Sequence, residues 1–308
     1  EAMVVAANKI KSAPLTGAPI DAVVITGDVT DNAQSNELTW YKQILDGGLV
    51  IPKSGDPERS EASHSSNADL YDEHYYHPDG PPTGMPADRP HVLHDFPHFK
   101  GALEASERQF IARGLAHKWL AVHGNHDALL QGTAVPTPEL DELAQGPAKL
   151  AGLKNMADLA DLFTGFGEVG PAHYPGLDHM ETNEVTADPR RALVKMQDWV
   201  NVHTNCGHDH GLDAEQPETS YWYRNIGADV RLIALDTVNR FGGWQGCIHR
   251  EQFEWLSHLL DESKDKYVVL TSHHPLENLF NGYVPDEVSA PALEEEVRRL
   301  LSKHPNVI

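Results

Sequence analysis

The chain has few cysteines, few basic residues and no long apolar run. Its 308 residues include 2 cysteines, and 24 lysines and arginines stand against 46 aspartates and glutamates, for a formal net charge of −22. Such an excess of negative charge argues against nonspecific binding to nucleic acid or to an anionic membrane. No run of about 18 apolar residues is present, so the sequence predicts no membrane span.

The scarcity of cysteine leaves the redox compartment open. Cys206 and Cys247 have no metal-binding spacing, and they are compatible with one disulfide or with two separate thiols. Residues 1–10 lack the basic and apolar regions of a signal peptide. Either the protein is cytoplasmic or its true start lies outside this sequence.

Strand and helix patterns alternate along residues 1–308, which predicts one layered α/β domain. The predicted strands are 20–26, 119–122, 229–238 and 267–272, and the predicted helices are 1–11, 32–45, 101–117, 138–163, 250–261 and 291–303. Two irregular stretches, at about 46–100 and 164–221, interrupt this pattern. The first is rich in Pro, Gly, Asp and His, which is typical of a functional insertion or lid.

Polar motifs follow three of the apolar strands. Asp28 and Asp31 come after the first strand, and the tetrapeptide Gly-Asn-His-Asp at 124–127 comes after the second. A histidine pair at 273–274 follows the last. Carboxylate, amide and imidazole groups are ligands that divalent cations accept. Because open α/β sheets place their sites at the carboxyl ends of strands, the motifs predict one metal centre assembled from distant parts of the chain.

These motifs resemble the calcineurin-like metallophosphoesterase superfamily, in the bacterial branch near the purple acid phosphatases. The superfamily pattern runs Asp-x-His, Gly-Asp-x-x-Asp, Gly-Asn-His-Asp, a lone His and Gly-His-x-His. The middle three occur here in that order, at 27–31, 124–127 and 273. The segments 235–237 and 252–256 add similarity, so the resemblance extends from about residue 20 to the end. It implies an α/β/β/α sandwich of mixed sheets flanked by helices, with long irregular insertions.

Two elements of the superfamily pattern are missing. No Asp-x-His precedes residue 20, and no Gly-His-x-His follows His274. The expectation is an excerpt cut at both ends, which lacks about half of the usual metal ligands. The letters Gly-His-Asp-His do occur at 207–210, but before His273 and after no apolar strand. We expect that segment to be a substrate-contacting loop or plain surface rather than a ligand pair.

The resemblance implies two divalent or trivalent ions, Mn, Fe or Zn, held about 3.5–4 Å apart. Asp28 is expected to bridge them, and Asn125 and His273 are expected to bind one of them. The alternative to His273 is its neighbour, His274.

The same resemblance implies that the enzyme hydrolyses a phosphate ester with hydroxide generated at the binuclear centre. His126 is expected to protonate the leaving alkoxide, and Asp31 is expected to hold the His126 imidazole in orientation. Asp127 is expected to be a helix N-cap rather than a catalyst. The substrate class is a phosphate ester, and the oligomeric state is left open. Related bacterial chains are often exported, which favours an extracytoplasmic location.

Each site residue also has a purely structural interpretation. Asp28 and Asp31 could cap the next helix, and Asn125 could occupy a turn. His126 and His273 could be interior histidines. Two other functions compete with the enzyme. One is a non-catalytic binding scaffold on the same fold, which the missing motifs would explain. The other is a metal-storage or sensing protein built on the histidines and aspartates of residues 64–98.

Overall fold

The computed structural model describes residues 1–58, 60–61, 68–155, 177–205 and 207–308, which form a mixed α/β fold of several small sheets and helices. Its strands are β1 Val23–Ile25, β2 Gly48–Val50, β3 Phe110–Ala112, β4 Trp119–Ala121, β5 Ala148–Leu153, β6 Met180–Glu184, β7 Trp222–Ile226, β8 Val230–Leu235 and β9 Tyr267–Ser272. Its α-helices are α1 Ala2–Ala7, α2 Ser35–Asp46, α3 Arg89–His94, α4 Ala102–Glu107, α5 Asn125–Ala128, α6 Pro138–Gln145, α7 Met196–Thr204, α8 Arg250–Asp261 and α9 Glu294–Leu301.

Two parallel strand pairs place the sequence motifs. Strands β1 and β4 pair in parallel, with Ile25 opposite Ala121. Strands β8 and β9 also pair in parallel, with Leu235 opposite Ser272, and β7 runs antiparallel on the other side of β8. All four parallel strands therefore end where a motif begins.

Strand β8 contributes to two separate cores because its side chains alternate between the faces of the sheet. Leu232 and Ala234 pack into a core with β4, α2 and α7, whereas Ile233 and Leu235 pack into a second core with α8 and α9. The sheet of β7, β8 and β9 is thus covered by apolar groups on both faces.

The apolar stripes of the C-terminal helices explain the second core. Leu256, Leu259 and Leu260 of α8 are buried, as are Val297 and Leu300 of α9. This spacing of three and four residues gives one buried face on each helix. The predicted helix over 250–261 and the predicted strand over 267–272 are confirmed, and the predicted helix over 291–303 is confirmed with shorter ends.

The predicted helix over 101–117 is wrong beyond residue 107. Strand β3 replaces its second half and pairs antiparallel with β2, which lies inside the first predicted insertion. Ile111, expected on a buried helix face, is 72% exposed. A β-branched and aromatic stretch with a partner strand nearby is more stable as a strand than as a helix.

Two further predictions about secondary structure need correction. Within the described residues 138–155, the helix expected over 138–163 ends at Gln145, because Gly146 and Pro147 interrupt it, and β5 follows; residues 156–163 lie outside the described residues. The described part of the stretch 164–221, expected to be irregular, contains α7 with Trp199 and Val200 fully buried, and residues 164–176 lie outside it.

Two features bear on predictions about location and redox state. No helix in the described segments is long and apolar enough to cross a bilayer. Cys247 is buried, and burial raises the pKa of its thiol to about 12. Its possible disulfide partner, Cys206, lies outside the described residues.

Candidate metal centre

The Asp127 carboxylate joins the two loops that follow β1 and β4. It accepts hydrogen bonds from the backbone N–H groups of Asp28, Val29 and Thr30, at 2.9–3.0 Å, and from that of Gly124 at 2.9 Å. Burial raises the pKa of this carboxyl, while the His123 imidazole and the backbone donors oppose that rise. Asp127 occupies the third position of α5, whose N-cap is Gly124, so its expected role as an N-cap was wrong.

Two glycines let these loops approach more closely than side chains would allow. A Cβ on Gly124 would lie 2.4 Å from the backbone nitrogen of Asp28. A Cβ on Gly27, whose φ is +93°, would lie 2.9 Å from Nδ1 of His273. The first two motifs therefore meet backbone to backbone and the third meets them through the His273 ring, and Gly27 and Gly124 are required for these contacts.

Asp28 and His273 face each other across this meeting point. The Oδ2 atom of Asp28 lies 3.3 Å from Nε2 of His273, and these side chains are 34% and 20% exposed. Nδ1 of His273 donates to the carbonyl oxygen of Thr26 at 2.8 Å. Since Nδ1 carries a proton, Nε2 is the ring nitrogen of His273 that lies near the Asp28 carboxylate, and that carboxylate would attract a proton or a cation held at Nε2.

The pKa shifts of the pair agree with this geometry. Burial disfavours the charged form of each group, but for both groups other contacts outweigh burial. The bond with Asp28 and the Thr26 carbonyl raise the pKa of His273. The imidazole of His273 and the backbone N–H of His126 lower the pKa of Asp28. The site thus favours an anionic oxygen beside a positive charge.

His274 has a different environment from its neighbour. Its Nδ1 accepts from the Thr237 hydroxyl at 2.8 Å, and its Nε2 donates to the Trp244 carbonyl at 2.9 Å. Burial lowers its pKa, and the charge of His273 adds to that effect. Because protein groups engage both ring nitrogens, the geometry favours His273 over His274 as a ligand.

Asn125 presents its side-chain oxygen from the first turn of α5. Its Nδ2 donates to the carbonyl of Gly132 at 2.9 Å, so the amide is fixed with Oδ1 as the remaining acceptor. Asn125 is only 6% exposed and does not have the positive φ of a left-handed turn residue. A neutral, oriented carbonyl oxygen is a suitable ligand for a hard or borderline cation.

His126 and Asp31 lie next to each other, as the sequence predicts. Nδ1 of His126 is 2.9 Å from the backbone oxygen of Asp31 and 3.2 Å from its carboxylate. The backbone N–H of His126 donates to Oδ1 of Asp28 at 3.1 Å. With Nδ1 held in this way, Nε2 is the ring nitrogen left for proton transfer.

The structural interpretations of the two aspartates do not hold. Helix α2 begins at Ser35 with Gln34 as its N-cap, and the Glu37 carboxylate accepts from the backbone N–H groups before it. Neither Asp28 nor Asp31 caps this helix. Asp28 instead adopts a left-handed conformation with φ of +53°, which aspartate tolerates better than most residues.

The Gly-His-Asp-His segment at 207–210 lies away from the meeting point. Nδ1 of His210 donates to the carbonyl of Trp119, at the amino end of β4, and its ring stacks on that indole at 3.5 Å. Asp209 pairs with Lys118 and Arg224. Residues 207–209 are exposed, which agrees with the expectation of plain surface, but His210 is 3% exposed and is therefore part of the core.

Sequence reasoning missed the groups that position the predicted ligands. The Thr26 carbonyl, Gly132 and the carboxylate of Asp127 orient His273, Asn125 and the two loops respectively. The only available signal was the placement of Asp127 inside the same tetrapeptide as Asn125. Because every residue has a backbone carbonyl, the sequence cannot show which of them accepts a given hydrogen bond.

The candidate centre has few residues of the types that usually bind metals. In the segments that the structure describes, no group of three or more His, Cys, Asp or Glu side chains is arranged as a metal site. Asp28 and His273 supply two such groups, and the third predicted ligand is an amide. This holds for the histidine-rich insertion too, apart from His64, which lies outside the described residues.

Comparisons with protein-family models, with curated proteins and with solved structures find no match for this chain. What the candidate centre does is therefore inferred from its own atoms.

Proposed function

We propose that the protein is a metal-dependent phosphoesterase of the calcineurin-like metallophosphoesterase type. The observation that carries this proposal is the 3.3 Å approach of Oδ2 of Asp28 to Nε2 of His273, whose other ring nitrogen is bonded to the Thr26 carbonyl. Asn125 lies on the adjoining loop, with its amide oxygen as the remaining acceptor. Three residues predicted as ligands from distant parts of the chain thus come from loops that touch.

The layered arrangement supports the proposed sandwich fold. Strand β8 contributes alternate side chains to two cores, one shared with β4, α2 and α7 and the other with α8 and α9. A sheet with a helix-lined core on one face and a core shared with a strand of a second sheet on the other is one part of what an α/β/β/α sandwich requires. The proposed centre lies at the carboxyl ends of β1, β4 and β9, which is where open α/β sheets bind ligands.

The residues present fit a metal, because a carboxylate, an imidazole nitrogen and an amide oxygen form an acceptable mixed donor set for Mn, Fe or Zn. When bound, two such ions would polarise the phosphate oxygens and supply hydroxide from water near neutral pH. Asp28 would hold both ions, and Asn125 and His273 would bind one of them. His126, oriented by Asp31, would deliver a proton to the leaving alkoxide.

Activity of the purified protein tests this proposal. We expect Mn, Fe or Zn to activate hydrolysis of an aryl phosphate or an aryl phosphodiester. Asp28→Asn keeps the shape and the acceptor for the His126 N–H but removes the negative charge. It should lower kcat/KM by about 100-fold or more and reduce bound metal. Asp261→Asn, an exposed carboxylate at the end of α8, is the matched control. If the protein bound metal normally but hydrolysed neither ester, the proposed phosphoesterase activity would be wrong.

A non-catalytic scaffold is the second candidate. It is favoured by the absence, among the described residues, of a third His, Cys, Asp or Glu beside Asp28 and His273. It predicts that phosphate or a phosphonate binds to the protein without any hydrolysis of the ester. The same assay therefore decides between the two candidates.

A further inference from the structure

Two exposed aromatic side chains lie side by side on the loops after β8 and β9. Trp244 and Phe280 are each 44% exposed. Their rings meet edge to face, with centroids 6.2 Å apart and planes at 88°. We call these two partly exposed rings the aromatic corner, and aromatic rings of this kind offer apolar surface on which a further ring can stack.

The backbone of the loop that carries Trp244 contacts residues next to the candidate metal centre. The carbonyl oxygen of Trp244 accepts from Nε2 of His274, whose ring centroid is 4.8 Å from that of His273. The backbone N–H of Gly243 donates to the carbonyl of Thr133, the residue after Gly132, which contacts Asn125. The loop that carries Trp244 therefore packs against residues that adjoin two of the predicted ligands, His273 and Asn125.

The loops that carry the two rings are fixed by buried groups. Asn281 is 0% exposed, and its Nδ2 donates to the carbonyls of Gly242 and Gln245 at 2.8 and 3.3 Å. A Cβ on Gly246 would lie 2.8 Å from the His274 ring, so this loop packs directly on that histidine. Trp244 and Phe280 are thus exposed although the backbone of their loops is held by hydrogen bonds and close packing.

We propose that Trp244 and Phe280 form a platform that stacks against a flat aromatic ring in the esterified group of the substrate. This inference rests on the proposed function. Stacking supplies affinity without any positive charge, which suits a chain of net charge −22 that repels anionic substrates at long range. The site would thereby select phosphate esters of ring-bearing alcohols over those of saturated alcohols.

Benzyl phosphate and cyclohexylmethyl phosphate are the substrates that isolate this effect, each as a monoester and as its methyl diester. Both have a similar alkoxide leaving group and a similar size, but only the first has a flat ring. We expect the protein to prefer the benzyl ester by about 10-fold in kcat/KM, mainly through KM, as a single stacking contact allows.

Trp244→Ala, Trp244→Leu and Phe280→Ala should reduce this preference to about twofold or less, and turnover of the cyclohexylmethyl ester should stay nearly constant. Trp244→Leu keeps apolar bulk and removes the flat surface. Tyr267→Ala is the control, because Tyr267 is 59% exposed but lies at the opposite end of β9. No preference in the unaltered protein, or an equal loss for both esters, would overturn the platform.

Binding of the matching phosphonates, measured by calorimetry with Mn present, separates this proposal from the proposed function. Tighter binding of benzylphosphonate that depends on Trp244, without turnover of any ester, would support the platform and reject the enzyme. Turnover without any benzyl preference would support the enzyme and reject the platform. Absence of both turnover and preference would reject both.

Discussion

Histidines lie near both ends of β4, and two pairs of them differ in their exposure and in the groups that surround them. At the carboxyl end, His126 and His273 are 30% and 20% exposed, and each has a carboxylate within 3.3 Å. At the amino end, His203 and His210 are 1% and 3% exposed. We call the first pair the site histidines and the second pair the core histidines.

The core histidines are surrounded by aromatic rings. His203 packs against Trp199 and Tyr41, with its Nδ1 donating to the Trp199 carbonyl at 2.7 Å and its Nε2 3.1 Å from the Tyr41 hydroxyl. His210 stacks on Trp119. Burial lowers the pKa of His203 to about 3, so it is neutral in the folded protein. The same residue type thus fills a core at one end of the strand and faces a carboxylate at the other.

The largest expected difference is between two alanine variants, one at a site histidine and one at a core histidine. His273→Ala should reduce bound metal and lower phosphoesterase kcat/KM by about 100-fold or more, because even an outer partner of a metal ligand is worth about 10–100-fold. Its free energy of unfolding should change by less than about 1 kcal/mol, since the side chain is partly exposed.

His203→Ala should do the reverse and cost about 2–4 kcal/mol of stability, because it leaves a cavity and an unpaired Tyr41 hydroxyl. Metal content by mass spectrometry, ester hydrolysis and urea unfolding measure the four outcomes. If His203→Ala removed metal while its fold persisted, the division into site and core histidines would be wrong.

The second test uses pH. The pKa of His203 is about 3 when folded and about 6.5 when unfolded, so only the unfolded chain binds this proton between those values. A group with a lowered folded pKa destabilises the fold as pH falls through that window. His203 alone should cost about 2–3 kcal/mol between pH 7 and pH 4.5.

His210, whose pKa burial also lowers, should add to this loss of stability, and the Tyr41, Lys42 and His123 side chains surround the same cluster. Urea midpoints across this range measure the sum. In the variant His203→Gln, the free energy of unfolding should depend less steeply on pH, by up to one fewer proton bound on unfolding. An unchanged slope would mean that His203 is not buried in its neutral form.

Prediction from the sequence succeeded where one element dictated its own structure. The period of Phe253, Leu256, Leu259 and Leu260 requires only an apolar neighbour, and α8 has the predicted bounds. It failed where a distant partner decided the outcome. Residues 110–112 became a strand because Gly48–Val50 lay available to pair with them.

The site shows the same division. The prediction that Asp28, Asn125 and His273 lie on neighbouring loops followed from their positions after apolar strands, and the structure brings those loops together. The sequence could not show that both ring nitrogens of His274 have partners, since these are the Thr237 hydroxyl and the Trp244 carbonyl. The letters Gly-His-Asp-His at 207–210 carried no such context, and they lie at the wrong end of the strand.

The third test concerns a glycine at the site end. Gly132 has a φ of +67°, and a Cβ there would lie 2.3 Å from Nδ2 of Asn125 and 2.6 Å from Nε2 of His126. Gly132→Ala should cost about 1–2 kcal/mol in stability and about 10-fold in metal affinity or kcat/KM. Gly207→Ala is the matched control, because its φ is +74° and nothing lies within 4 Å of the added carbon. If both variants changed activity equally, the role assigned to Gly132 in the site would be wrong.

The smallest expected effect belongs to His208, the exposed histidine of the Gly-His-Asp-His segment. Neighbouring Asp209 pairs with Lys118, before the start of β4, so this segment is anchored at the end of the strand opposite Asn125. His208→Ala should leave metal affinity within about twofold and stability within about 0.5 kcal/mol, as for most surface substitutions. Titration of the protein with Mn or Zn measures the first quantity. A clear loss of bound metal would show that this segment supplies a ligand. The assignment of metal binding to the carboxyl end of β4 alone would then be wrong.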